Sequence, residues 1–359
     1  MSESHRQQTI GIIGGGQLGR MLAMAAARLG HLTTVLDPAE NCPAAQACNQ
    51  HIIAAYDDAD ALEKLAECDV VTYEFENVDA EAIRQLSAQT SVAPGVEPLK
   101  VSQDRLTEKE FLGQAGLKTA DFRDISNEAS LKKALFEFGG KGILKTRRFG
   151  YDGKGQVLFK GEDTDMSVAE ALAAIQGAPA ILEAFVPFER EISVIATRNE
   201  SADCVCFEPA ENVHVDGILH TSTVPASIAP EIAEAATAHA RSLAHALNYV
   251  GTLGLEFFVL PDGSLIANEF APRVHNSGHW TEAACAISQF DMHIRAITNA
   301  PLPRSFRHSN AVMTNLIGDE IHTVRDTANS GAVMVHDYGK IETRDGRKMG
   351  HYTTLSAKR

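Results

Sequence analysis

The stretch Thr9-Ile10-Gly11-Ile12-Ile13-Gly14-Gly15-Gly16-Gln17-Leu18-Gly19-Arg20-Met21 decides the fold class. Thr9–Ile13 is a short β-branched run, Gly14–Gly16 a turn, and Leu18–Leu29 an Ala/Leu/Met-rich helix. Thr33–Leu36 reads as a second strand ending at Asp37-Pro38. Ala59–Glu67 then reads as a helix, Val70–Glu74 as a strand and Ala80–Leu86 as a helix. Strands alternating with helices imply an α/β protein with a parallel, doubly wound sheet, ligands lying at the strand C-termini. This unit is expected to end near Pro94-Gly95 or Pro98, giving an N-terminal domain over residues 1–101. Gly14-x-Gly16-x-x-Gly19, with Asp37 beyond it, matches the dinucleotide fingerprint in its proper context. Phosphate-binding and vestigial mononucleotide folds carry the same turn, so NAD(P) is one reading among several.

Outward from this unit, a second region over residues 102–292 carries expected helices at Asp104–Ala115, Val168–Ile175 and Pro230–Leu247. A hairpin is expected from Leu255–Leu260 and Leu265–Phe270 around Pro261-Asp262-Gly263-Ser264. Residues 293–359 carry expected strands at Ala311–Ile317, Ala332–His336 and Gly350–Leu355, a segment too small to hold a large core and so expected to pack on the rest. The 359 residues carry 32 Lys and Arg against 47 Asp and Glu, a net charge of −15 that argues against nucleic-acid or anionic-membrane partners. The charge is uneven: from Arg295 onward there are 10 basic and 6 acidic residues, against 22 and 41 in the first 292. Met1–Gln8 lacks an apolar signal region, and no apolar run approaches the ~18 residues that cross a bilayer. The six cysteines show no metal-binding spacing, which suits reduced thiols in a cytoplasmic protein.

Three strings concentrate chemistry. Lys145-Thr146-Arg147-Arg148-Phe149-Gly150-Tyr151-Asp152-Gly153-Lys154-Gly155-Gln156 places four cations and three glycines in twelve residues, a composition that can wrap a polyphosphate. A solvated hairpin tip is the competing reading. It leaves Lys145, at the end of the Gly142-Ile143-Leu144 run, without an anion. In the hairpin, a four-residue turn makes opposed positions sum to 525, so Glu256 faces Glu269. Directly opposed carboxylates repel unless a divalent cation lies between them, and hard oxygen ligands beside phosphates suit Mg²⁺. Asn268 and Asn276 add neutral oxygens; the alternative is that one of the two glutamates is salt-bridged, for instance to Arg273. Glu183-Ala184-Phe185-Val186 offers backbone groups for an adenine edge, and Glu191 an acceptor for ribose hydroxyls, although a plain buried strand end fits as well. Asn268–His279 then crowds Arg273, His275 and Asn276 into one loop.

Together these strings resemble the ATP-grasp superfamily, and within it the 5-(carboxyamino)imidazole ribonucleotide synthase family. Gly11–Met21, Tyr73-Glu74-Phe75-Glu76-Asn77-Val78, Gly150–Gln156, Glu183–Val186, Asn268–His279, and Gly339-Lys340 with Gly346–His351 follow in the family's order over nearly the whole chain. The resemblance implies an ATP-grasp ligase that phosphorylates bicarbonate and carboxylates the amine of 5-aminoimidazole ribonucleotide through carboxyphosphate. It implies ATP contacts at Arg105, Lys145, Gly150, Tyr151, Asp152, Gly153, Lys154, Gly155, Gln156, Glu183, Ala184, Phe185, Val186, Glu191, His214, Asn268 and Glu269. Mg²⁺, with Mn²⁺ as a substitute, maps onto Glu256 and Glu269. Substrate contacts map onto Gln17, Glu76, Tyr151, Lys154, Arg273, Lys340, Arg347 and Lys348, and catalytic roles onto Lys145, Lys154, Arg273 and His275. Arg105 departs from the lysine common among relatives, replacing a point charge by a planar fork. A homodimer is expected only because relatives form one. A formate-dependent ribonucleotide transformylase, an NAD(P)-dependent oxidoreductase and a non-catalytic binding module are the competing functions. The basic final segment is expected to fold back over the first domain and hold a ribonucleotide phosphate.

Overall fold

The computed structural model describes residues 7–150, 155–163, 166–323 and 333–358. The expected ligands Tyr151, Asp152, Gly153 and Lys154 lie outside the described residues, as does Ala332. The first unit is a five-stranded parallel sheet in the order Gln50–Ile52, Leu32–Leu36, Thr9–Ile13, Val70–Tyr73, Ser91–Val92. Helix Gln17–Arg28 turns Leu18, Met21, Leu22, Ala25 and Ala26 inward, the i, i+3, i+4, i+7 stripe that fastens a helix to a sheet. Asp58 and Asp79 cap the helices Ala59–Leu65 and Ala80–Ser87 by accepting backbone N–H bonds. The strand order reverses between Thr9–Ile13 and Val70–Tyr73, so a crevice opens where Gly14–Gly16 and Glu74–Glu76 leave the sheet.

A four-stranded antiparallel sheet follows, ordered Phe122–Ile125, Ala180–Ala184, Lys141–Thr146, Gln156–Lys160. Leu131 and Ala134 of helix Glu128–Glu137 and Ala171 of helix Val168–Ala174 close its apolar face. The third sheet is the largest, with nine antiparallel strands. It runs Leu265–Ala271, Gly251–Val259, Arg190–Arg198, Ala210–Val215, Ile218–Val224, Ser309–Ile317, Lys348–Ala357, Val333–Asp337, with Cys204–Cys206 paired to the outer part of Arg190–Arg198. The C-terminal strands therefore build no sheet of their own. They extend the central sheet through the pairing of Ile218–Val224 with Ser309–Ile317. Tyr338, between Val333–Asp337 and Lys348–Ala357, is buried in the same core as Leu18, Met21 and Leu22 of the first unit. Among the described residues, no helix is long and apolar enough to cross a membrane.

Candidate active site

At the crevice of the parallel sheet, the protein supplies its own anions. The backbone N–H groups of Gly16 and Gly19 donate to the two Glu74 carboxylate oxygens, that of Gly19 at 2.5 Å, and Gly15 N–H donates to Asp37 Oδ2 at 2.7 Å. These are the amides that would cradle a pyrophosphate. Asp37, the candidate ribose ligand, also accepts the Tyr56 hydroxyl at 2.8 Å. Gly14 has φ 102°, and a Cβ there would lie 2.5 Å from Glu74 Cγ. Glycine is required by an internal carboxylate, and the dinucleotide reading falls. Burial pushes the Glu74 carboxyl above its ordinary range, with the Gly19 and Gly16 amides pulling it back.

The hairpin corrects the expected register. Next to the turn Val259, not Leu260, pairs with Leu265, and the pairing shifts between Leu255 and Phe257. Glu256 thus sits at a bulge, opposite both Asn268 and Glu269, rather than facing Glu269 alone. Leu255, Phe257, Ala267 and Phe270 enter one apolar core, which leaves Glu256, Asn268 and Glu269 to the opposite face. The bulge places three oxygen-bearing side chains where regular pairing would have placed two.

Glu256 and Glu269 line a cleft with Glu76, Arg105, Gly150, Arg273 and His275. Arg105, first residue of helix Arg105–Gln114, donates through Nη1 to Glu269 Oε2 at 2.7 Å and through Nη2 to Gly150 O at 3.4 Å. Arg273 grips Glu76 with two bonds, Nε to Oε2 at 2.5 Å and Nη2 to Oε1 at 3.1 Å. The salt bridge that the alternative reading asks for is present, but it comes to Glu269 from Arg105, while the Arg273 guanidinium serves Glu76. Burial and then the Glu269 charge push the Glu256 carboxyl up to about 7. Burial would raise Glu269 too, but Arg105, then Lys145 and Lys109, hold it down to about 2. Asn268 Oδ1 is buried without a hydrogen-bond partner. Two carboxylates that repel each other and an orphaned amide oxygen are a donor set that fits Mg²⁺.

His275 Nε2 lies 3.5 Å from Glu256 Oε1. Its Nδ1 is 2.8 Å from Ser277 Oγ and accepts the Ser277 N–H at 3.4 Å, leaving Nε2 as the protonated nitrogen. Behind it run Ser193 Oγ to Ser277 Oγ at 2.6 Å and Asn212 Nδ2 to Ser193 Oγ at 3.0 Å. Burial and the Arg273 charge pull the imidazole down to about 3, so it stands neutral near neutral pH.

Lys145 does not wait for a ligand anion. Glu183 supplies one: its Oε1 is 3.1 Å from Lys145 Nζ and its Oε2 is 3.3 Å from Lys109 Nζ. Arg147 is spent on Asp104 at 2.7 Å and Asp124 at 3.2 Å, and Arg148 on Gln103 at 2.9 Å. Lys145, Arg147 and Arg148, three of the cations expected to wrap a polyphosphate, are tied at the loop's base by these protein partners. Glu183 and Ala184 end the strand Ala180–Ala184, with Phe185 half exposed beyond it. Glu191 and His214 pair across neighbouring strands at 3.0 Å. Burial would lower His214, but Glu191 and Glu256 raise it overall.

Gln17 opens helix Gln17–Arg28, outside the cleft lining. Lys340 Nζ donates to Lys348 O at 2.6 Å, and Arg347 Nη1 to Glu342 O at 2.8 Å. Lys348 is near enough for its charge to act on both Glu256 and His275. The final segment lies against the first unit: a Cβ on Gly339 would come within 3.0 Å of Arg20 Nη1. Sequence reasoning missed Glu74 as an internal phosphate mimic, and Glu108 and Lys109 as buried charges. Lys109 falls four residues after Arg105 in the helix, a spacing that shares one face and was available as a signal.

Three domain models match the chain in order: the ribonucleotide synthetase preATP-grasp domain over residues 7–103, the ATP-grasp domain over 110–290 and the phosphoribosylaminoimidazole carboxylase C-terminal domain over 311–359. The N5-carboxyaminoimidazole ribonucleotide synthase of Brucella melitensis is 59% identical over 97% of this chain and 96% of its own length. The Staphylococcus aureus N5-carboxyaminoimidazole synthetase complexed with ADP superposes with a TM-score of 0.92 at 39% identity, over 98% of this chain and 95% of that one. The Aspergillus clavatus synthase in complex with ADP and 5-aminoimidazole ribonucleotide gives a TM-score of 0.91 at 32% identity, over 98% and 94% of the two chains. With three sheets, a bulged carboxylate hairpin and a C-terminal segment folded onto the first unit, the chain belongs to the N5-carboxyaminoimidazole ribonucleotide synthase family of ATP-grasp ligases.

Proposed function

We propose that this enzyme carboxylates the N5 amine of 5-aminoimidazole ribonucleotide, consuming ATP and bicarbonate and releasing ADP and phosphate, as a step of purine nucleotide synthesis. The observation that carries this reading is the single cleft joining Glu256 and Glu269 to Glu76, Arg273 and His275. A bicarbonate oxygen attacks the γ-phosphorus of ATP, ADP leaves, and the resulting carboxyphosphate breaks down to CO₂ and phosphate. The amine nitrogen adds to CO₂ and gives up a proton. Glu256, Glu269 and Asn268 would hold Mg²⁺, or Mn²⁺ in its place, which when bound supplies positive charge to the phosphate oxygens. Arg105 and Lys145 steady the negative charge of the polyphosphate, while Glu183–Val186 and Glu191 receive the adenosine. The Glu76 carboxylate holds the Arg273 fork with both oxygens and Val274 O accepts from Nη1 at 3.2 Å, so the guanidinium is fixed in the cleft where its charge would face the carboxyl being transferred. His275 offers Nε2–H to a developing negative charge, its tautomer set by Ser277. The enzyme is expected to work in the cytoplasm as a homodimer.

The direct test is ADP release with bicarbonate, with and without 5-aminoimidazole ribonucleotide. Bicarbonate-dependent release that the ribonucleotide stimulates is expected, and formate should not replace bicarbonate. Release that ignores bicarbonate would overturn the reading. Lys340, Arg347 and Lys348 are assigned to the ribonucleotide phosphate. Neutralising Arg347 and Lys348 together is expected to raise the KM for 5-aminoimidazole ribonucleotide about tenfold or more, since charge-assisted phosphate bonds contribute ~1.5–3 kcal/mol each. The KM for ATP should change far less; equal rises in both would place these cations at the nucleotide.

A further inference from the structure

A second cluster of ligating side chains lies away from the cleft lining. His336 of strand Val333–Asp337 and His351 of strand Lys348–Ala357 are register partners, their rings stacked at 4.6 Å and 11°. Glu282, from the short helix Thr281–Ala284, completes the group, and one ligand atom from each of the three lies within 4.8 Å of the others. The side chains of Glu282 and His336 are 8% and 13% exposed, and His351 is fully buried. Glu282 Oε2 and His336 Nε2 approach to 3.5 Å without a hydrogen bond, and His351 Nε2 is likewise unpartnered. Buried polar atoms are almost always satisfied, so three orphans converging on one point call for an explanation.

We infer that Glu282, His336 and His351 form a transition-metal site of the Zn²⁺ type, separate from the nucleotide's Mg²⁺ site. Two imidazole nitrogens and one carboxylate oxygen are borderline-soft donors of the sort zinc takes, with a fourth position left for water. Magnesium, which demands oxygen ligands, is disfavoured by the same set. The surroundings hold the ligands as such a site requires. Tyr338 Oη lies 2.8 Å from His351 Nδ1; accepting that N–H leaves Nε2 bare for a metal. The nearby cations are otherwise engaged, Arg28 by Asp291 at 3.1 Å and Arg20 by Gln46. Ligand atoms in a tetrahedral zinc site stand ~3.3 Å apart, from metal–nitrogen distances of ~2.0–2.1 Å. The Glu282–His336 pair already meets this spacing, and modest side-chain rotation brings in His351. A bound metal would tie the two strands that flank Lys340 and Arg347, the second of which opens at Lys348, to the ATP-grasp body through Glu282. Its effect would be to hold the substrate end of the enzyme in place.

The test uses the full-length chain, stripped with a chelator, desalted and kept in excess Mg²⁺. Addition of Co²⁺ is expected to leave one equivalent bound after gel filtration, with the visible d–d absorption of a low-coordinate site. Zn²⁺ should displace it and raise the melting temperature. His336→Gln, which keeps a polar side chain of similar size at the strand position, should bind Co²⁺ at least ~10-fold more weakly while its metal-free melting temperature matches that of the parent. Glu282→Gln should weaken binding as well, and Glu269→Gln should not. No retained Co²⁺ or Zn²⁺ in the parent chain would overturn the proposal and leave the three atoms to a bridging water. Retention undiminished in both His336→Gln and Glu282→Gln would overturn it equally, by placing the metal elsewhere.

Discussion

Glu269→Gln is expected to lower the turnover number for bicarbonate-dependent ADP release about 10²–10³-fold at saturating ATP and 5-aminoimidazole ribonucleotide. That corresponds to a loss of ~3–4 kcal/mol of transition-state stabilisation, the usual consequence of removing one preorganised electrostatic group. The residue meets two demands at once. Its carboxylate shares the bulged hairpin face with Glu256 and Asn268, and its Oε2 anchors the Arg105 guanidinium at 2.7 Å. A neutral amide keeps the shape and one acceptor oxygen, so the change is confined to charge. The Glu256 carboxyl, raised to about 7 by burial and then by the Glu269 charge, should move downward in the variant. A higher Mg²⁺ requirement should accompany the slower rate, which a purely structural defect would not produce. The fold should survive, because Glu108 also lies within electrostatic reach of Arg105. Full turnover at ordinary Mg²⁺ would show that the metal is held elsewhere.

How far the sequence alone reached depends on whether the signal was local. Thr9–Ile13, Val70–Tyr73 and the intervening helices were readable because a buried parallel strand and an amphipathic helix each advertise themselves in apolar periodicity. Gln50–Ile52 and Ser91–Val92 were not, since two or three residues at a sheet edge carry no period. The hairpin itself was legible from Pro261-Asp262-Gly263-Ser264, but not the bulge at Glu256, which depends on Ala267 and Phe270 both entering the core. The glycine turn showed that an anion belonged there, and could not show that Glu74, more than fifty residues on, is that anion. The same limit applies to Lys145. A lone cation at a strand end announced the need for a partner, while the partner's identity was a tertiary fact. Nor does any string in residues 293–359 reveal that Ser309–Ile317 pairs with Ile218–Val224, because strand adjacency between distant segments leaves no local trace.

Glu183→Gln should produce the largest loss of stability, about 3–5 kcal/mol, the usual result of removing one partner from a buried ionic group. Glu183 is 3% exposed and stands between Lys109, 1% exposed, and Lys145. Without its charge, two ammonium groups would face each other in a space that Arg105 also reaches. Burial alone would raise the Glu183 carboxyl, but Lys145, then Lys109 and Arg105, hold it down to about 2, against 4.5 for an ordinary glutamate. A carboxyl depressed on folding contributes stability that is full above about pH 4.5 and is lost as the pH falls toward 2. The glutamine variant lacks that contribution, so the gap between parent and variant should close through this acid window. Glu256 and Glu108, raised to about 7 and about 8 by burial and the Glu269 charge, act in the opposite direction. Their share is present at low pH and is lost as the pH rises through those values. Because both chains retain them, the difference between denaturant midpoints, measured from pH 3 to 8, isolates Glu183. A gap that stays constant across the acid window would mean that the carboxylate acts as a hydrogen-bond acceptor only, and that Lys145 and Lys109 find their counter-charge elsewhere.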